Sequence, residues 1–247
     1  MFDRKAVSGH RVNGIIAAVL IFFPLLAAES ISSVKSHGEI FTKTLFQMKD
    51  AFKDIYDYRC SLDSFSSGGG RELRVRYRYF YKRPGLIRME AVNGKYPGSV
   101  MVYKMDGRVR VKLATGIFSL LTLSFKPDSR YVTDLTGQGV PGSDWGSFIE
   151  KHFENLERMK CVDSAEEVSG ENRILVFKLV SDAPEMTKSI AKETLRIDGD
   201  SYLLLGFVMY DAAGRTVRAA EYSGIVINGG LSDELFSTPA AREPDNE

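Results

Sequence analysis

Histidine, cysteine and tryptophan are scarce in this sequence, which has three, two and one of them among 247 residues. The histidines, His10, His37 and His152, are far apart, and neither His-Glu-x-x-His nor Cys-x-x-Cys spacing occurs. Zinc sites need several such ligands at short spacings. The sequence therefore predicts no metal site and no cofactor, and it favours a solvated or rim-packed His152 over a ligand.

Motifs for catalysis are missing as well. The glycine-rich stretches 67–70 and 137–139 lack the lysine and the strand-to-helix setting of a phosphate-binding loop, so we interpret them as turns. The carboxylates are scattered, and no spacing selects a pair for acid–base catalysis. We therefore expect a protein that is not an enzyme, with no catalytic residues.

Neither sign of charge dominates, because 33 basic residues are matched by 32 acidic ones and the net charge is +1. Proteins that bind nucleic acid usually carry a strong field of one sign. Arginines and tyrosines alternate at 74–79, but alternation in a strand separates them onto opposite faces, whereas stacking on bases needs them mixed. We expect no nucleic-acid partner and recognition mainly by shape and apolar surface.

No apolar run is long enough to span a membrane. The uncharged stretch Ile15–Ala28 has about fourteen residues, whereas a spanning helix needs roughly twenty. Arg4, Lys5 and Arg11 precede it and small residues end it, which is typical of a secretory signal peptide. We predict that residues 1–30 are a signal peptide and that the protein is periplasmic; the alternative is an uncleaved anchor in the inner membrane.

The two cysteines, Cys60 and Cys161, are an even pair in a chain predicted to be exported. Such a pair is a candidate disulfide, which would close a loop of about one hundred residues. The alternative is two separated buried thiols, because a sequence does not show whether the α-carbons come within bonding reach.

Two periodicities occur in the rest of the chain. From Ile40 to Ile55, apolar residues recur at steps of three or four, which predicts an amphipathic helix. Strict alternation in Leu73–Tyr79 predicts a strand, and Asp106-Gly107 predicts a tight hairpin between 100–103 and 108–113. Further strands are predicted at 174–180, 193–197, 202–210 and 216–227, and a helix capped by Ser143 or Asp144 would present Trp145, Phe148, Ile149, Phe153 and Leu156.

Turn residues between these strands favour an antiparallel sheet, and no linker or internal repeat divides the chain. We predict one α+β domain over residues 31–240 and a flexible tail at 241–247. Two segments, Gly116–Phe125 and Tyr202–Tyr210, are unusually apolar. A half-exposed sheet needs only one apolar face. These segments are therefore expected either to lie under a second layer or to line a cavity.

The stretch Phe80–Glu90 contains Lys82-Arg83-Pro84 and resembles the Lys-Arg-Pro-x-x-x-x-Trp segment of the periplasmic outer-membrane lipoprotein carriers, the LolA-like family. Asp106-Gly107 stands where that family has an Asp-Gly turn, and the sequence from Phe236 to Pro239 is similar to its C-terminal Phe-x-x-Pro. Met89 replaces the family's Trp, and the paired cysteines and turn-rich stretch 93–98 also depart from the pattern. The resemblance is therefore to a divergent branch.

The resemblance implies a curled antiparallel β-sheet, an incomplete β-barrel, with helices covering its concave face and an apolar cavity for acyl chains. It also implies that Arg83 holds the helical lid through hydrogen bonds to backbone, which we expect around Trp145–Ile149. The expected function is non-catalytic binding or transport of acyl chains of lipoprotein or lipid by a monomer, with an inner-membrane donor and an outer-membrane acceptor. The alternative is an envelope interaction or sensor module without cargo.

Alternation predicts that Val75, Tyr77, Tyr79, Val109 and Val111 face the concave side while their arginine neighbours face solvent. The full set of residues predicted for the cavity and lid is Val75, Tyr77, Tyr79, Arg83, Val109, Val111, Ile117, Phe118, Leu121, Trp145, Phe148, Ile149 and Phe207.

Overall fold

One large sheet and two α-helices make up most of the described chain. The computed structural model describes residues 24–237 apart from 95, 171, 185, 186 and 188, with side chains described from residue 36 onward except at 117 and 118. Most of the predicted signal peptide and the tail at 241–247 lie outside this range. Within the described part of the chain, no helix is both long and apolar enough to cross a membrane.

The long helix α1 spans Pro24–Lys53 and the short helix α2 spans Trp145–Glu154. The described chain also has the strands β1 Asp57–Gly68, β2 Arg71–Lys82, β3 Leu86–Ala91, β4 Val100–Tyr103, β5 Val109–Lys112, β6 Thr122–Phe125, β7 Met159–Ser169, β8 Asn172–Ser181, β9 Lys192–Asp198, β10 Leu204–Tyr210 and β11 Thr216–Ile227. Two 3-10 helices lie at Ile117–Leu120 and Asp233–Phe236.

All the strands belong to a single 11-stranded sheet with the order β6-β5-β4-β3-β2-β1-β11-β10-β9-β8-β7. Every neighbouring pair is antiparallel, and β6 and β7 are the two edges, so the sheet curls without closing. The predicted α+β class, an incomplete antiparallel β-barrel, is confirmed. The predicted helix beginning near Ile40 is also present, as the C-terminal half of a longer α1.

Strand register defines the two faces of the sheet. Tyr58 lies opposite Tyr81, and Cys60 lies opposite Tyr79, and these side chains are buried beneath the helices on what we call the inner face. Asp63 lies opposite Arg76 on the other side, the outer face. The alternation in β2 has its predicted effect, because its arginines at 74 and 76 are exposed while Tyr79 is fully buried.

Three parts of the chain cover the inner face: α1, α2 and the connection 126–144. Each contributes apolar side chains to one core cluster with the inner face of the sheet. These include Phe41, Leu45 and Met48 of α1, Trp145, Phe148 and Ile149 of α2, and Val132 and Val140 of the connection.

The segment that follows β11 covers part of the outer face. Phe236 is fully buried and forms a small second cluster with Val100 and Val102 of β4. Lys82 fixes the same segment, because its Nζ donates to the Leu231 carbonyl at 2.7 Å and to the Asp233 carboxylate at 2.6 Å. The outer face is therefore packed at β3, β4 and the C-terminal end of β2, while that of the middle strands is left open.

Candidate functional site

Arg83 ties the end of β2 to the end of α1. Its guanidinium donates one hydrogen bond to the Phe52 carbonyl at 2.8 Å and another to the Lys53 carbonyl at 3.0 Å. The last carbonyls of a helix have no partner within the helix and form the negative end of its dipole, so a cation there is favourable. The arginine also lies over the Phe52 and Tyr56 rings, at 5.7 and 5.6 Å.

The partner of Arg83 differs from the prediction, which placed its hydrogen bonds around Trp145–Ile149 on α2. The reason is chain geometry. The Arg83 amide donates to the Tyr56 carbonyl at 2.8 Å, which sets Arg83 beside the short link between α1 and β1. The carbonyls within its reach there are those of the last two residues of α1.

Helix α2 lies on the inner face through an aromatic stack. Its first residue, Trp145, stacks on Tyr58 of β1 with ring centroids 4.1 Å apart and planes 5° apart. One turn later, Phe148 stacks on Phe207 of β10 at 5.3 Å. The helix begins here because the Asp144 carboxylate accepts a hydrogen bond from the Ser147 amide at 3.0 Å, which is a helix N-cap.

The indole of Trp145 is buried at 2% exposure, and its Nε1–H has no hydrogen-bond acceptor among the described residues. A buried donor without an acceptor costs about 1 to 3 kcal/mol. The neighbouring hydroxyls are engaged elsewhere, since Tyr58 Oη accepts from the Trp145 amide at 3.3 Å and Tyr79 Oη pairs with Ser143 Oγ at 3.1 Å. Burial raises the pKa of both tyrosines, so they stay neutral.

His152 joins α2 to β9. Its Nδ1 lies 2.9 Å from the Phe148 carbonyl oxygen, which only accepts hydrogen bonds, so the network assigns a proton to Nδ1. Its Nε2 lies 3.1 Å from the Glu193 carboxylate, and both side chains are buried. Burial disfavours the charged ring, but the Glu193 carboxylate and the Phe148 carbonyl outweigh it, so the pKa of His152 is raised above 6.5. The solvated or rim-packed position predicted for His152 is wrong.

Most residues predicted for the cavity lie on or near the inner face. Tyr79, Val109, Val111, Trp145, Phe148, Ile149 and Phe207 belong to the core cluster, and Tyr77 packs against it. Val75 is buried but outside that cluster. Leu121 is 54% exposed and lies outside the core cluster, while the side chains of Ile117 and Phe118 are outside the described set.

Among the described residues, apolar side chains of α1, α2 and the connection 126–144 pack against the inner face, where the sequence predicted an open cavity. A cavity of about 420 Å³ lies on the opposite side of the sheet, on the outer face between β2 and β9. No sequence pattern indicated that position. An acyl chain would reach the inner face only by displacing part of its cover.

Cys60 and Cys161 are free, buried thiols, so the candidate disulfide is absent from the structure. They lie on β1 and β7, which are five strands apart in the sheet order. At about 4.8 Å per strand spacing, the path between them along the curled sheet is roughly 24 Å. Burial raises the pKa of Cys60 to about 12 and that of Cys161 to about 11, which leaves both as thiols.

Solved structures with a similar arrangement include MucB, with a TM-score of 0.50 and 11% identity over 81% of this chain and 63% of MucB. A LolA superfamily protein from Nitrosomonas europaea matches with a TM-score of 0.37 and 10% identity, over 79% of this chain and 96% of that one. The chain shares its fold with MucB. The Mycobacterium tuberculosis lipoprotein LppX matches with a TM-score of 0.45 and 12% identity, over 77% of this chain and 96% of LppX.

No family model matches the sequence, and neither does any curated protein. At identities of 10 to 12%, the likeness to these structures is one of fold. The LolA-like resemblance predicted from Lys82-Arg83-Pro84 and the surrounding motifs is confirmed at that level.

Proposed function

We propose that this protein binds acyl chains of lipid or lipoprotein on the inner face of its sheet, in the periplasm and without catalysing a reaction. The observation that carries this proposal is the cover on that face. The ten-residue helix α2 buries Trp145, Phe148 and Ile149 against the sheet and is a separate layer that competes with a ligand for the same apolar surface.

Energetics support a cover that exchanges with cargo. Each acyl methylene removed from water contributes about 0.8 kcal/mol, so a chain of several carbons offsets the displacement of a few apolar side chains. An ester or amide carbonyl of the cargo would also supply the acceptor that the Trp145 indole lacks. The same energetics fit the inner-membrane donor and outer-membrane acceptor expected from the sequence. Cargo would leave the protein where an acceptor with a more apolar site is available.

Uptake of a fluorescent fatty acid tests the proposal. Phe148→Ala weakens the cover by about 3 to 5 kcal/mol if the site does not collapse, so uptake should become faster or tighter than in the parent protein. Val168→Ala is the control, because Val168 lies on the edge strand β7 with 75% of its surface exposed. If neither the parent protein nor Phe148→Ala takes up lipid in excess, the alternative of an envelope interaction module without cargo is favoured.

A further inference from the structure

The outer face has an open groove that nothing in the acyl-binding proposal uses. It has a volume of about 420 Å³ and crosses five adjacent strands, from β2 through β1, β11 and β10 to β9. The apolar character of β10 on both faces, noted from the sequence, is explained in part here, because Phe207 faces the core while Val208 faces the groove. A sheet face exposed to water normally carries polar residues.

Two rows of outward-facing residues, each running across neighbouring strands, line the groove, as the strand register shows. One row is apolar at its centre, where Phe65, Ala219 and Val208 lie side by side on β1, β11 and β10. Next to it runs a polar row of Arg76, Asp63, Glu221, Gly206 and Arg196.

Gly206 keeps the middle of the groove open. A Cβ added at this position would lie 2.7 Å from the Ala220 carbonyl oxygen, so a side chain does not fit without a backbone shift. The strand also has a register irregularity between Leu204 and Gly206. Small residues at 206 and 219 therefore leave a depression between arginines on β2 and an arginine on β9.

The charges of the groove are arranged with cations at its two ends. Arg74 and Arg76 lie at the β2 end and Arg196 lies at the β9 end, with Asp63 and Glu221 between them. Arg76 contacts Asp63 at 2.8 Å, and Arg196 lies 3.8 Å from Glu221. Arg74 lies over the Phe65 ring at 4.3 Å, and its guanidinium is 3.9 Å from the Glu72 carboxylate, which is a long and weak ion pair. The edge of the guanidinium can therefore donate hydrogen bonds to an anionic ligand.

Length and chemistry together select the class of ligand. From β2 to β9 is four strand spacings, or about 19 Å, which an extended peptide covers with roughly six residues. A peptide backbone also offers N–H donors to Asp63 and Glu221, and an acyl chain offers none. Apolar side chains fit the row of Phe65, Ala219 and Val208, and acidic residues fit the arginines at the ends.

We propose that this outer-face groove binds an extended peptide segment with an apolar middle and acidic residues at both ends. The site lies on the face opposite to the proposed acyl site, so the two proposals can fail separately.

Fluorescence anisotropy with two pools of labelled octapeptides tests the proposal. In the first pool, four central residues drawn from Leu, Val and Phe have two acidic residues on each side; in the second, lysines replace the acidic residues. The acidic pool should bind saturably and at least tenfold more tightly than the lysine pool. Its affinity should fall between 50 and 500 mM salt, because charge pairs at exposed sites are screened.

Three variants locate the binding. Ala219→Phe fills the depression, and Arg74→Glu and Arg196→Glu reverse the charge at each end; each should weaken binding of the acidic pool at least fivefold. Arg59→Glu is the control, because Arg59 is an exposed residue of β1 that does not line the groove. Circular dichroism checks that all four variants fold.

The proposal is overturned if the acidic pool does not saturate, if the lysine pool binds equally well, or if folded Ala219→Phe binds like the parent protein. Displacement of the peptides by laurate at the groove would also overturn it, in favour of a second site for amphipathic anions. Fatty-acid uptake should be unchanged in Ala219→Phe, which separates this test from that of the inner face.

Discussion

At the scale of single residues, Arg83 links the cover to the sheet. Its two hydrogen bonds reach the carbonyls of the last two residues of α1. Burial of Phe41, Leu45 and Met48 holds the C-terminal half of α1 in place, whereas this arginine fixes where the helix ends. We therefore expect Arg83 to affect access to the inner face more than it affects the fold.

Replacement of Arg83 by leucine should lower the free energy of unfolding by about 1 to 2 kcal/mol, because two charge-assisted hydrogen bonds at a partly exposed site are lost. Fatty-acid exchange should become faster, since the end of α1 is released. Urea unfolding and stopped-flow fluorescence measure the two effects. Arg130→Leu is the control, because Arg130 is exposed and bonds to its neighbour Tyr131. Exchange kinetics equal to those of the parent protein would rule out this role.

The buried pair of His152 and Glu193 makes stability depend on pH. The folded pKa of His152 is raised above its unfolded value of 6.5, so the stabilisation is complete below about pH 6.5 and is lost as pH rises through the folded pKa. Lys151 opposes the protonated ring, while Phe41 and Phe148 provide apolar walls around it.

Urea unfolding between pH 5.5 and 8.5 should therefore show the free energy of unfolding falling with rising pH in the parent protein. His152→Gln should flatten this dependence, because it removes the titrating ring, and Glu193→Gln should abolish or reverse it, because burial then lowers the pKa of His152. A pH dependence in both variants as steep as in the parent protein would show that another group is responsible.

At the scale of elements, the contact between α1 and α2 depends on a glycine. A Cβ at Gly146 would lie 2.5 Å from Cε1 of Phe52, so the two helices approach too closely for any side chain there. On α1, Gly38 has no atom within 4 Å of its Cβ position. These two helical glycines form a matched pair for substitution.

Gly146→Ala should destabilise the protein by about 1 to 3 kcal/mol, because the methyl group forces Phe52 or α2 to shift. Gly38→Ala should stabilise it by about 0.5 to 1 kcal/mol, because alanine favours helix and nothing obstructs it. Thermal unfolding of both variants measures the difference. Equal effects of the same sign would mean that the helices do not touch as described.

Elements with a strong local pattern could be predicted from the sequence, whereas β1 and β7 could not. The inner face of β1 carries Ser64 and Ser66 near its end, and Ser66 Oγ accepts a hydrogen bond from Leu135 in the connection 126–144, so apolar alternation is broken there. β7 is an edge strand whose second half is exposed, so burial imposes no alternation on it. Both strands are defined by their neighbours in the sheet.

The candidate site could be predicted only in part, for a related reason. Alternation assigned Val109 and Val111 to the core, and helix periodicity assigned Trp145 and Phe148 to the buried side of α2. The partner of Arg83 depends on how a chain segment thirty residues earlier returns to the sheet. The outer groove combines residues from five strands, and no local pattern relates them.

For the whole molecule, the central claim is that acyl chains bind the inner face when its cover opens. Trp145 is the single tryptophan of the sequence and lies between α2 and the sheet, so its fluorescence reports on this interface alone. The most direct measurement is quenching of that fluorescence by a brominated fatty acid, with the unbrominated acid as control. The account predicts saturable quenching by the brominated acid and none by the control, whereas a brominated chain that leaves Trp145 fluorescence unchanged at saturating lipid would contradict it.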